Sequence, residues 1–311
     1  MPEIAYCILA HDDPVMLERL CARLAPAPVW VHVDRGSSLS TPTRERIANL
    51  AGALRTRNVR WGGFGIVEAT FDLLSQAVQA GTDHIVLLSG HCYPIRPADH
   101  LNQHLCKLGE RDAIQMVRVA AGSHLHKQSS RYWRMEPYLP EGARKIYPLR
   151  KADDVARRIR NRIARGIDRD FSAEIAGASL WRGSAWWALS KSSARWLVAE
   201  WANRPESFAP YRSVYAPDEM VVQTMLANGP RAGCQIGPST DHGHRTLYEA
   251  PLHLIAPDNA RRLTDTPENR ALIAQSDRFF ARKLYSEENA LLDWIDKRVV
   301  HMAGTHSSEG T

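Results

Sequence analysis

Four places in the chain set polar side chains where chemistry is usual. His11-Asp12, Asp34 and Ser89-Gly90-His91 each follow a short apolar run rich in β-formers. Such runs, alternating with helical patterns, predict a mainly parallel sheet, and parallel sheets bind ligands outside the carboxyl ends of their strands. Topology therefore makes these residues a candidate nucleotide edge, although Asp12 and Asp13 equally suit a helix cap. The fourth place, Trp181-Arg182-Gly183-Ser184-Ala185-Trp186-Trp187, is dense in aromatics around Gly-Ser. Aromatic faces stack on the C–H surfaces of sugars, and they also fill cores.

The elements that must hold these groups are legible in the first third. Ile4 to Ala10 is a nearly continuous apolar run, as a strand covered on both faces requires. Asp13 suits an N-cap and Pro14 the first helical position, with Leu17, Leu20, Cys21 and Leu24 as the buried stripe. Val29 to Val33 is a second strand ending at Asp34, Asn58 to Trp61 a third, and Ile85 to Leu88 a fourth. Val67 to Ala80 reads as a helix between the last two. Ser190 caps a helix over 191–201, and Pro217 opens another from Asp218 towards Ala227. Glu219 then sits in a first helical turn, where acidic residues are common and electrostatically favoured.

Leu149 to Asp170 forms a basic amphipathic helix. Val155, Ile159, Ile163 and Ile167 recur every four residues among Arg150, Lys151, Arg157, Arg158, Arg160, Arg162 and Arg165. Its stripe either packs on the core, or meets anionic lipid or a charged glycan. Nucleic acid is not expected as a partner, since no recognition motif accompanies the charge.

Composition sets the outer limits. The 311 residues carry a net charge of +6, with 44% hydrophobic and 24% charged residues, as a globular protein does. Neither GxGxxG after the first strand nor a P-loop is present. The five cysteines lie far apart without zinc-ligand spacing and read as reduced thiols. No apolar run spans a bilayer and the N-terminus lacks a secretory pattern, so a cytoplasmic location is expected, with peripheral contact at the inner membrane face through the 150–169 helix. Residues 301–311 are expected to be a disordered tail.

Taken together, the blocks resemble the core-2/I-branching β-1,6-N-acetylglucosaminyltransferase family, which also contains the peptide O-xylosyltransferases. Ala5 to His11 matches its first strand and histidine, and Val31 to Asp34 its second strand and aspartate. Leu87-Leu88-Ser89-Gly90-His91-Cys92-Tyr93-Pro94-Ile95-Arg96 is similar to its Leu-Ser-Gly block. Gly183-Ser184-Ala185-Trp186-Trp187 with Pro217-Asp218-Glu219, and then Phe280-Ala281-Arg282-Lys283, complete an ordered set reaching about residue 285.

The resemblance implies one GT-A-type α/β domain over 1–300, with a nucleotide half to about 120 and an acceptor half beyond. It implies inverting transfer of a sugar, GlcNAc from UDP-GlcNAc in β-1,6 linkage, to a glycan hydroxyl. UDP-xylose as donor, or a non-catalytic binding module, are the alternatives. Glu219 would be the base. Leu9, His11 and Asp34 would contact the UDP-sugar, and Lys283 with Arg261 or Arg262 the diphosphate. No Asp-x-Asp motif follows the second or fourth strand, so fixed cations replace a metal and no cofactor is expected. Cys92 departs from an aspartate common in animal relatives, and the aromatic pair beneath the acceptor has no match around 247–253. Acceptor contacts are expected instead from Lys127, Arg131, Trp133, Ser184 and Trp186.

Overall fold

The computed structural model describes all residues except 1–2, 38, 130, 165–166, 168, 241–248, 257–261 and 307–311. Arg261 and Arg165 therefore lie outside the described residues, as do residues 247–248 of the 247–253 segment.

Four strands open the chain: β1 (Ile4–Ala10), β2 (Val29–Asp34), β3 (Ala53–Arg57) and β4 (His84–Ser89). They alternate with α1 (Pro14–Leu24), α2 (Thr41–Leu50) and α3 (Gly65–Ala80). After β5 (Tyr93–Pro94) and α4 (Ala98–Leu108) come β6 (Asp112–Ala113) and β7 (Val117–Arg118). The middle is helical, with α5 (His124–Ser129), α6 (Glu141–Arg144), α7 (Tyr147–Ala164) and α8 (Phe171–Glu174). Next stand β8 (Trp181–Arg182), β9 (Ala188–Ser190), α9 (Lys191–Asn203), α10 (Val221–Asn228) and β10 (Gln235–Ile236). The chain finishes with β11 (His253–Ile255), α11 (Pro267–Gln275), β12 (Phe280–Arg282) and α12 (Asn289–His306).

The central sheet runs β10-β6-β9-β4-β1-β2-β3, and only β9 is antiparallel to its neighbours. It is the mixed α/β, mainly parallel sheet expected. Strands from early and late in the sequence build it together. Period-two alternation explains the continuous apolar reading of β1. Ile4, Tyr6, Ile8 and Ala10 enter a core with α1 and α12, while Ala5 and Cys7 enter another with α3, α9 and α10.

Local signals hold where they are strong. Asp13 Oδ1 accepts from the Met16 amide at 3.0 Å and Pro14 opens α1; Ser190 caps α9. The third strand is a correction: it occupies Ala53–Arg57 rather than Asn58 to Trp61. As an edge strand paired only with β2, it has no need of the apolar residues that drew the expectation onward. Pro217 opens a 3-10 turn (Pro217–Glu219), and α10 begins separately at Val221 because Met220 leaves helical geometry at φ −135°. The tail expectation is corrected as far as His306. Leu291, Leu292, Ile295 and Val299 pack α12 on the core, and the helix runs on through residues 301–306.

All five cysteines are free thiols, with Cys7, Cys21 and Cys92 buried. Among the described residues no helix is long and apolar enough to cross a membrane.

Candidate functional site

The carboxyl edge of the sheet gathers the expected donor residues. Leu9 lies centrally, in register with His32 of β2 and Ser89 of β4. Asp34 ends β2, and its Oδ1 accepts from the amides of Gly36 at 3.2 Å and Val59 at 3.1 Å, so it ties two loops to the edge. Gly90 donates to the Leu9 carbonyl at 2.9 Å, and a Cβ there would lie 3.0 Å from that of Ala10. That close approach is why Ser-Gly follows β4.

His11 stands exposed at the end of this edge. Its imidazole is held below the ordinary histidine range chiefly by partial burial of the ring, with Asp12 and Asp34 pulling upward and His91 and Lys283 pushing down. Lys283 and Asp34 thus lie within electrostatic reach of His11. Lys283 arrives there because β12 pairs with β5 and β11, placing its carbonyl against the Leu263 amide at 2.9 Å. The next residue, Leu284, donates to the His91 carbonyl at 3.0 Å.

The arginine expected beside Lys283 is otherwise engaged. Arg262 pairs with Glu287 and with Glu288, and lies over the Tyr285 ring at 4.5 Å. Arg282 stands closer to the centre, its guanidinium 4.3 Å from the Trp186 ring centroid. The sequence pattern offers it only as the variable position of the Phe-Ala-x-Lys block.

Glu219 ends the 3-10 turn, half-buried. Its Oε2 accepts from Arg182 Nη2 at 2.6 Å, and Arg182 is withdrawn from water entirely. The Glu219 carbonyl accepts from the Gly183 amide at 3.0 Å, which joins the Gly-Ser turn to the acidic one. Gly183 is required here, because a Cβ would fall 2.1 Å from the Gln115 carbonyl oxygen. The Ser184 amide donates to Gln115 Oε1 at 2.8 Å, and the Ser184 carbonyl accepts from Gln223 Nε2 at 2.9 Å. Ser184 is thus buried within the turn, and its hydroxyl accepts from the Trp186 amide at 3.3 Å. In this position Ser184 helps to orient Trp186.

Asp218, next to the base, has its carboxyl raised above the ordinary range by burial and by Glu219, against a smaller lowering by its own backbone amide and by Arg182. A small apolar void of about 10 Å³, lined by Leu9, Ile66, Phe71, Trp186 and Asp218, lies in the core between the donor edge and the acidic turn. A larger concavity, about 650 Å³, lies elsewhere, at the amino end of β1 among Ile4, Arg23 and Val299.

The expected acceptor residues divide. Trp133 stands 5.5 Å from the Tyr215 ring, and Tyr215 also meets exposed Trp61 edge-on at 5.5 Å. Ala216 donates to the Gly62 carbonyl at 3.0 Å, so this aromatic trio adjoins the turn bearing Glu219. Trp61 and Tyr215 escape sequence reasoning because they meet only in three dimensions. Lys127 lies on α5 and Arg131 just beyond it, both exposed, with Arg131 offering its carbonyl to Arg169 at 3.3 Å.

Among the described residues, His11, Asp12 and His91 place three potential metal-ligand atoms within 4.8 Å of one another. His91 Nδ1 lies 3.1 Å from the Leu284 carbonyl and its Nε2 2.5 Å from Asp12 Oδ1, so both ring nitrogens have polar partners.

A model of the Core-2/I-Branching enzyme family matches residues 4–238. The chain belongs to that family. It is therefore a glycosyltransferase built on a mainly parallel α/β sheet. The matched residues include Leu9, Asp34, Gly183 and Glu219, whereas Arg262 and Lys283 lie beyond them. Among solved structures, mouse xyloside xylosyltransferase 1 in its apo form is 9% identical, with 90% of this chain and 97% of that one covered at a TM-score of 0.35. Mannose-1-phosphate geranyltransferase from Thermus thermophilus is 12% identical, with 72% of each chain covered at a TM-score of 0.31. Neither likeness adds to the functional reading. Comparison with curated proteins finds no match.

Proposed function

We propose that this family member transfers GlcNAc from UDP-GlcNAc to a glycan hydroxyl with inversion, in β-1,6 linkage and without a metal. The observation that supports the reading is Glu219 itself, its Oε2 held by Arg182 on a turn that adjoins the exposed aromatic group of Trp61, Tyr215 and Trp133. Inversion is a single in-line displacement. The acceptor oxygen forms a bond to the anomeric carbon as the bond to UDP breaks, and Glu219 takes the hydroxyl proton. The departing diphosphate gains negative charge, which Lys283 and Arg282 are placed to neutralise. Leu9 and Asp34 hold the uridine, and the Trp61–Tyr215–Trp133 group offers aromatic faces to the acceptor.

Assay of each UDP-sugar against a panel of glycan acceptors tests this reading, with turnover from UDP-GlcNAc the expected result and preference for UDP-xylose the rival. Replacing Glu219 with Gln removes the proton acceptor, so transfer falls by about 10²–10⁴-fold while UDP binding persists. Undiminished turnover in Glu219→Gln removes that residue from the role, and absence of any transfer by the wild type favours a binding module.

The His11–Asp12–His91 cluster favours a second reading, in which these three side chains would hold a divalent ion that neutralises the departing diphosphate. Activity that survives EDTA supports fixed cations, whereas activity abolished by EDTA and restored by one divalent metal supports the cluster.

A further inference from the structure

Helix α7 is built the reverse way round from an ordinary surface helix. Its polar residues face the protein. Asp153 is buried, bonded to the Tyr138 amide at 2.8 Å and the Leu139 amide at 3.2 Å, and paired with Arg144. Asn161 is buried too, accepting from the Arg134 amide at 2.8 Å and donating to the Arg134 carbonyl at 3.0 Å. The aliphatic stripe faces out: Val155 is 43% exposed, Ile159 54%, Ile163 66%, and Ile167, just beyond the helix, 52%. Of the two readings of this stripe, packing on the core is therefore excluded. Ile146, Tyr147 and Leu149 are further exposed apolar side chains at the amino end, and Tyr132 borders a shallow groove beside Ile159 and Ile163.

The charges are sorted around this stripe. At 3.6 residues per turn, Lys151, Arg158 and Arg162 fall along one border and Arg160 along the other. Lys151, Arg158 and Arg162 have no ion-pair partner among the described residues, while both acids of the helix, Asp153 and Asp154, are neutralised by Arg144 and Arg157. An exposed apolar stripe of this length is costly in water unless something covers it.

We propose that α7 is a docking face for an anionic lipid surface, its isoleucines entering the acyl boundary and its basic border meeting the headgroups. Charge selects this occupant over a second copy of the chain. Two copies packed stripe to stripe would bring their rows of lysine and arginine together, whereas an anionic bilayer neutralises them. The inference does not rest on the catalytic reading.

Co-sedimentation of the full chain with vesicles of equimolar phosphatidylcholine and phosphatidylglycerol, set against pure phosphatidylcholine, is the test. Binding is expected to the anionic vesicles and to weaken with added salt. Replacing Arg158 and Arg162 with Gln should lower the partition coefficient roughly fivefold per charge. Ile159→Ser with Ile163→Ser should lower it by about tenfold per residue. These side chains are exposed, and unchanged melting curves separate lost docking from lost fold. Absence of binding to anionic vesicles, or variants that bind like the wild type, overturns the proposal. So does a dimer by light scattering that the isoleucine variant dissolves, since the stripe then belongs to a second copy.

Discussion

Arg182 donates to Glu219 Oε2 at 2.6 Å from a position wholly withdrawn from water. A planar guanidinium held this way fixes the direction of the carboxylate as well as its charge, which a flexible ammonium does not. The pair joins β8 to the acidic 3-10 turn, two segments that are distant in sequence and carry no local signal for each other.

Arg182 is accordingly expected to act as a positioning residue. Arg182→Lys should lower kcat by about 10–100-fold with little change in KM, because misorientation costs rate before it costs binding. Steady-state kinetics check this, and a kcat that stays at the wild-type value removes Arg182 from the role.

Asp218 predicts a pH dependence of stability. Its carboxyl is raised in the folded state, chiefly by burial and then by Glu219, so the native chain holds a proton that the unfolded chain releases. Its contribution is fully present below the ordinary aspartate value, roughly pH 4, and is lost as pH rises through the folded-state value. Asp218→Asn removes that loss. The melting temperature of the variant should gain on the wild type as pH rises from about 4 towards neutrality, as thermal melts at a series of pH values will show.

Lys283 sits at the edge facing His11, and the diphosphate role requires its charge. Lys283→Ala should reduce kcat/KM on the order of 10²-fold, with Lys283→Arg recovering part of it. Kinetics with the preferred UDP-sugar measure this, and an alanine variant of wild-type activity returns Lys283 to an ordinary surface lysine.

Asp112 is buried and accepts from the Ser190 amide at 2.8 Å, Ser190 Oγ at 2.9 Å, Ser193 Oγ at 2.7 Å and Gln235 Nε2 at 3.3 Å. It thereby joins β6, the cap of α9 and β10. Asp112→Ala strands these donors and should cost about 3 kcal/mol, read from urea unfolding.

The positions of His11 and Asp34 at the carboxyl edge were legible without coordinates, because β1 and β2 are buried and read as unbroken apolar runs. Gly183 was visible as a motif, but its reason, the Gln115 carbonyl pressed against it, was not. The bond from the Trp186 amide to the Ser184 hydroxyl was not legible, because a serine between aromatics reads alike whether its hydroxyl meets a ligand or a nearby amide. Edge strand β3 slipped for a related reason: half-solvated strands carry little hydrophobic signal.

The amino-acid sequence by itself determined the alternation of strand and helix, the cap of α1, the order of the family blocks and the segment holding Glu219. These rest on periodicity and near-neighbour bonds, which the chain writes locally. Only the tertiary structure decided that Arg182 holds Glu219, that Arg282 rather than Arg262 stands beside Trp186, and that Lys283 returns to His11. It alone turned the apolar stripe of α7 outward, because the face a helix buries depends on the partners it finds, here Tyr138, Leu139 and Arg134, and those partners are polar backbone.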